Sequence, residues 1–184
     1  PSQKLDLDPM LIMASPDGEE GVTLNAEEVF QKAYKAYGNR RYELALQHYG
    51  TVIKYFPDSR FFLPSLFNIG LTNEKLERWE TAGAAYRTII ERFPEKDDTK
   101  DAYYRLAQVY KELGKHQETV ALMTEVMLRP DIEHFDRMEA HVRRSEALLE
   151  LGEAEEAEDG FRTLLRLNDE ASPTTRLADD ALFI

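Results

Sequence analysis

Four histidines and a dense run of carboxylates are the side chains of this sequence best equipped for acid–base or metal chemistry. A zinc site needs three or four ligands brought to one point. His48, His116, His134 and His141 do not have such spacing. His134 and His141 lie seven residues apart and could share a helix face, but neither has a neighbouring ligand, so surface or capping roles fit them better. Glu153, Glu155, Glu156, Glu158 and Asp159 gather at the start of a predicted helix. There they favour the helix dipole and solvate an outer face, whereas a catalytic carboxylate pair needs a concave, partly dry setting. The nine glycines are scattered through turns and the N-terminal tail, so no phosphate-cradling loop is expected. The absence of cysteine excludes disulfides, thiolate-bound zinc and thiol catalysis. No nucleophile–base arrangement is found. The expectation is a protein that is not an enzyme, with no catalytic residue, no metal site and no cofactor.

Bulk charge narrows the partners. The 184 residues carry a formal net charge of −12. Nucleic-acid binding relies on Lys and Arg to displace counterions, and anionic lipid likewise attracts basic segments, so neither partner is expected. No apolar run approaches the roughly 20 residues of a membrane-spanning helix. The chain begins at Pro1 without an initiator Met, which suggests processing or excision; a signal peptide or lipid-bearing residue upstream is compatible with that start.

The elements that would position any binding side chain repeat along the chain. Tyr42, Ala45, Tyr49 and Pro57 recur as Trp79, Ala82, Tyr86 and Pro94, each shifted by 37. The next shift gives His116, Thr119 and Met123, and a further one of 38 gives Ala154, Ala157 and Phe161. A recurrence of this length means one supersecondary unit stacked repeatedly, with no single closed core. Helical periodicity predicts pairs of helices, A and B, in each copy. Asn25 is a good N-cap with Glu28 three residues on, and Gly38 ends the first helix A. Helix B of the first two copies runs to Phe56 and Phe93, stopped by Pro57 and Pro94, and Asp58-Ser59 offers the next cap. Helix A of the third copy is predicted at about 99–113 and helix B at 117–128; the fourth copy has them at about 135–151 and 154–167.

The predicted organisation is an extended or disordered acidic arm over 1–24, four repeats over 25–171 (about 26–59, 60–97, 98–134 and 135–171), and a terminal helix over 172–184. The arm carries one apolar knot, Met10-Leu11-Ile12-Met13, which reads either as part of a floppy tail or as a docking strip. Ser172-Pro173 opens the last helix as an N-cap followed by Pro at the first helical position. Its apolar end, Leu182-Phe183-Ile184, suggests either packing back on the fourth repeat or continuation of the natural chain into a further repeat, the latter being favoured.

These positions resemble the tetratricopeptide repeat. That family has a small residue at position 8, here Ala33, Gly70, Ala107 and Ser145. It has Ala at position 20, here Ala45, Ala82, Thr119 and Ala157, and an aromatic at position 24, here Tyr49, Tyr86, Met123 and Phe161. Pro57 and Pro94 stand at position 32. The small residues let helices A and B approach closely. The repeat departs from the usual period of about 34 residues. The resemblance implies an all-α fold, a right-handed superhelical α-solenoid of about four helix hairpins plus a terminal helix. The stretch Tyr55-Phe56-Pro57-Asp58-Ser59, then Pro64 and Leu66 to Gly70, with Arg92-Phe93-Pro94, is similar in cadence to tetratricopeptide proteins of the Gram-negative envelope. Two such groups are the Tol–Pal-associated cell-division coordinator and the barrel-assembly lipoprotein. That narrower likeness implies a periplasmic or outer-membrane-associated scaffold with a possible lipid anchor upstream; a cytoplasmic location is the alternative.

In the family, helix A lines a concave face. The resemblance then implies a partner-binding groove formed by Phe30, Tyr34, Tyr37, Phe67, Leu71, Tyr104, Arg105, Gln108, Lys111 and Arg143, aromatic in its first half and polar in its second. Aromatic rings on such a wall suit a peptide or helix with apolar anchors; the alternative is that they pack between helices as core. Arg105, Lys111 and Arg143 are candidates for an acidic tail or a carboxylate, against pairing within their own helices with Asp101, Glu112 or Glu139. Chaperone-binding members place Lys and Asn where this chain has Phe30 and Tyr34, so that carboxylate clamp is absent. The function expected is a non-catalytic protein–protein interaction scaffold that binds a partner's peptide or helix, as part of an envelope assembly. A chaperone- or pilotin-like carrier and a regulatory subunit of an enzyme complex are the alternatives.

Overall fold

A computed structural model describes residues 10–13, 22–94, 96 and 98–171. Among these residues, two short strands, β1 (Met10–Met13) and β2 (Val22–Asn25), are followed by eight helices: α1 (Ala26–Gly38), α2 (Tyr42–Tyr55), α3 (Phe62–Lys75), α4 (Trp79–Arg92), α5 (Asp98–Glu112), α6 (His116–Leu128), α7 (His134–Glu150) and α8 (Ala154–Ala171). The class is all-α, in tandem helical hairpins. The chain divides into two compact units, Pro1–Ala102 and Tyr103–Ile184, and the division falls inside α5.

The N-terminal unit holds the first two hairpins. The segment read as an extended or disordered arm contains an antiparallel ribbon in which Met10 faces Asn25 and Met13 faces Val22. The apolar knot is therefore a strand. Leu24 of β2 packs on a cluster of Ala26, Val29, Val52 and Phe56, which ties the ribbon to α1 and α2. Asn25 caps α1, its side-chain oxygen accepting the Glu28 amide at 2.7 Å. Ser59 does not cap α3 as the sequence suggested. Its hydroxyl donates to the Phe56 carbonyl at 2.9 Å and finishes the preceding helix instead. Arg60 and Phe61 intervene before α3 begins, and Ser59 meets its first amide, that of Phe62, at 3.0 Å through the backbone carbonyl and not through the side chain. Pro64 sits in the first turn of α3, where its missing N–H costs nothing.

Helix B of the first three hairpins is buried through the same positions; in the fourth Ala157 is buried, while Phe161 and Leu164 are half-buried. Ala45, Tyr49 and Val52 of α2 are fully buried, as are Ala82, Tyr86 and Ile89 of α4. In the C-terminal unit Thr119, Met123 and Val126 of α6 and Ala157 of α8 occupy the equivalent sites. The i, i+4, i+7 spacing puts these side chains on one stripe facing helix A. The small position 8 has a direct explanation. A Cβ on Gly70 would lie 2.5 Å from two atoms of the Tyr86 ring. In the last hairpin the contact is mirrored: a Cβ on Gly160 of α8 would meet the Ser145 hydroxyl of α7 at 2.1 Å.

The A-to-B turns also repeat. Arg40, Glu77, Gly114 and Gly152 all have positive φ, at 58°, 56°, 65° and 81°. In each case the following amide bonds back to the helix, as in Arg41 to the Ala36 carbonyl at 2.9 Å and Lys115 to that of Tyr110 at 2.8 Å. This left-handed closure satisfies carbonyls at the end of helix A. Glycine adopts it freely; arginine and glutamate do so at a cost.

Candidate interaction surface

In the N-terminal unit the predicted groove residues stand on α1 and α3. The Phe30 ring lies edge-on to Tyr49, with centroids 5.7 Å apart, and 5.2 Å from Phe61. Tyr37 meets Tyr42 edge-on at 5.7 Å, and Phe67 meets Tyr86 at 5.5 Å. Phe30, Tyr37 and Phe67 are half-buried, each holding helix A to a neighbouring ring while keeping part of its surface in solvent. Leu71 is also half-buried. Tyr34 differs, with 60% of its surface exposed. Beneath this face the Tyr49 phenol is buried without a hydrogen-bond partner. Its pKa is raised, first by desolvation and then by the neighbouring Tyr37 and Tyr34 phenols.

In the C-terminal unit the predicted residues are Tyr104, Arg105, Gln108 and Lys111 of α5 and Arg143 of α7. Tyr104 donates its hydroxyl to the Asp136 carbonyl at 2.7 Å, which pins α5 to the first turn of α7. Burial raises the Tyr104 pKa, helped by the charges of Asp136 and Glu139 and opposed by Arg143. The Arg143 guanidinium sits 5.6 Å from the Tyr104 ring centroid and donates twice to Glu139 Oε1, at 2.9 and 2.7 Å. Pairing one turn apart on α7 is thus the arrangement adopted by Arg143. Lys111 pairs across helices, its Nζ 3.5 Å from Glu146 of α7. Gln108 donates to Glu112 at 2.8 Å along α5. Arg105 is exposed on the same helix.

Between α5 and α7 lies an open cleft of about 570 Å³. Gln108, Lys111 and Arg143 come together in its lining; Tyr104 and Arg105 do not reach it. Its apolar part comes from Ala107, Val142, Ala147 and Leu149, and three acids, Glu139, Glu146 and Glu150, share its wall. The predicted groove residues do not include Ala147 and Glu150 of α7 or His116 and Thr119 of α6. Nothing in the helix A periodicity points to α6, since those side chains enter from the turn end of helix B. A smaller groove of about 280 Å³ separates α7 from α8, with Phe135 at its mouth. His134 bonds to the Leu167 carbonyl at 2.9 Å across that pair, and His141 is half-buried on α7. Among the described residues, no group of three His, Asp or Glu side chains converges as a metal site would require. No described helix is long and apolar enough to cross a membrane.

Hairpins with a repeated buried stripe, a repeated turn closure and an open face on helix A define a helical-repeat protein. Profiles of the tetratricopeptide repeat match residues 30–96 and 101–130, and the chain belongs to that family. No curated protein sequence matches it. Solved structures share the fold. A tetratricopeptide repeat protein from Parabacteroides merdae is 17% identical, with TM-score 0.66 over 78% of this chain and 54% of that one. MamA from Desulfovibrio magneticus is also 17% identical, with TM-score 0.60 over 79% and 77%. MamA AMB-1 is 16% identical, with TM-score 0.64 over 93% and 82%. Tetratricopeptide proteins bind protein partners, which is the coarse function this membership carries.

Proposed function

We propose that the protein is a non-catalytic scaffold that holds a peptide or helix of a partner protein against its helix A faces. The observation that supports this most is the α5–α7 cleft, where an apolar floor and a rim of charged side chains lie open to solvent. A floor of this kind accepts one or two apolar anchors, and its rim orients the chain that carries them. The aromatic face of α1 and α3, with Tyr34 extended into solvent, is a second surface of the same type. The further proposal of an envelope assembly, periplasmic or anchored at the outer membrane, has its support in the cadence around Phe56-Pro57 and Phe93-Pro94.

Site-specific photo-crosslinking in the native host tests both parts. A crosslinking residue at position 149, in the cleft, is expected to capture one discrete protein. The same residue at position 162, on the exposed outer side of α8, is expected to capture none. Crosslinks from position 162 alone would overturn the assignment of the surface. Recovery of the adduct in the cytosolic fraction would overturn the envelope proposal and leave the scaffold role standing.

A further inference from the structure

The cleft between α5 and α7 has a charge pattern that selects its occupant. From the sequence, Arg105, Lys111 and Arg143 are candidates either for an acidic tail or for pairing within their own helices. The structure distributes the two cleft cations differently. Arg143 is held by Glu139 through two hydrogen bonds and covers the Tyr104 ring. Lys111 is paired with Glu146. An incoming carboxylate would have to displace a carboxylate already in place, with no net gain of ion pairs.

The acids of the cleft, by contrast, have capacity left. Glu139 engages Arg143 through Oε1 only, and Glu146 meets Lys111 through Oε2 only. Glu150, one helical turn beyond Glu146, has no ion pair among the described residues, and its side chain is exposed at the cleft wall. Three carboxylates thus face two cations and a histidine. Between them lie Val142, half-buried, and Leu149, which leaves 52% of its surface in water. A segment that seats an apolar side chain on Val142 and Leu149 brings its flanking residues to Glu146 and Glu150. The whole-chain charge of −12 draws a cationic segment toward the same place. It also opposes a second copy of this chain as the occupant, since like charge repels like.

We infer that the α5–α7 cleft is specific for a basic amphipathic segment of a partner protein, with an apolar anchor on Val142 and Leu149 and a Lys or Arg paired with Glu150 and Glu146. This rests on the reading of the helix A face as a peptide-holding surface, and it names the chemistry of the peptide.

The test is selection of a phage-displayed random 16-residue library on the full chain. Synthetic copies of the enriched peptides are then titrated by fluorescence anisotropy and located by amide shifts of labelled protein. The expected outcome is enrichment of Lys and Arg beside Leu, Ile or Phe, with shifts at Val142, Leu149 and Glu150. Glu150→Lys should weaken these peptides by roughly tenfold, and higher salt should weaken them further. That substitution lies at the exposed end of α7, where a cation suits the helix dipole, so the fold is retained. If the peptides bound in the cleft are acidic or uncharged, or if Glu150→Lys leaves affinity unchanged, the basic specificity is wrong while the cleft remains a peptide site. If the enriched peptides shift only residues away from α5 and α7, the cleft itself is not the site and both readings fall.

Discussion

The two units have the same backbone hairpin and opposite solutions on helix A. In the N-terminal unit the face is built of rings: Phe30, Tyr37 and Phe67 each lean on an aromatic of the next helix. In the C-terminal unit the equivalent face is polar, with Tyr104, Arg143 and Glu139 linked in one chain and Lys111 bridged to Glu146. Helix B changes less between them, since α6 buries the same stripe as α2 and α4, and α8 keeps Ala157 buried with Phe161 half-buried. The contrast shows which half of a repeat is constrained. Helix B must fill space between two neighbours, so its volume is set by packing. Helix A meets neighbours on one side and solvent on the other, and its outer residues are available to vary with the partner.

That comparison can be broken most severely where helices A and B touch. Gly70→Ala drives a methyl into the Tyr86 ring, which is itself fully buried and cannot swing away. A loss of about 2–3 kcal/mol is expected, read by urea denaturation. An unchanged midpoint would mean that the two helices are not held at this distance.

The matching contact in the C-terminal unit gives a sharper result, because the offending atom can be removed. Gly160→Ala collides with the Ser145 hydroxyl and should cost about 1–2 kcal/mol. Ser145→Ala removes a buried hydroxyl that has no hydrogen-bond partner, and alone should be neutral or slightly stabilising. With both substitutions the two methyl groups have room, since the Ser145 Cβ is 3.5 Å from the new one. The double variant should therefore recover most of the loss, a coupling that a double-mutant cycle measures directly.

The turns offer a smaller test with opposite signs in the two units. Gly114→Ala forces a side chain into the left-handed region and should cost about 1 kcal/mol. Glu77→Gly relieves the same strain in the N-terminal unit and should be neutral or stabilising by a few tenths of a kcal/mol. Equal effects at the two sites would argue that the turns are not equivalent.

The mildest expected effect is one of pH. His141 has its pKa lowered from the usual 6.5, mainly by burial and then by Arg144, Arg137 and Arg166, with Asp159 opposing. The unfolded chain therefore takes up a proton at higher pH than the folded one. The contribution to stability is complete above pH 6.5 and declines as pH falls through and below that value. His141→Gln should flatten this slope in thermal melts between pH 7 and 5, and an unaltered slope would exclude His141 as its source.

Much of this architecture was legible in the residues alone, for a physical reason. Recurrence of Ala45, Tyr49 and Pro57 at a fixed interval marks a helix that must present the same stripe to the same kind of neighbour each time. Periodicity and helix-stopping residues are local properties, so the ends of the described helices came within a residue or two, except that α8 ran four residues past its predicted end; the terminal helix expected over 172–184 lies outside the described residues. The left-handed turns were half visible, as Gly114 and Gly152; Arg40 and Glu77 carry no such signal, and only the closed hairpin compels them into that conformation. The ribbon joining Met10–Met13 to Val22–Asn25 was likewise hidden, because strand pairing depends on a partner segment that local pattern does not name. The ion pairs were readable only where they stay within one helix. Arg143 pairs with Glu139 one turn away on α7, an alternative the spacing already offered. Lys111 instead pairs with Glu146, a side chain that only the packing of α7 on α5 brings to it, and that decides what the cleft has left to offer a partner.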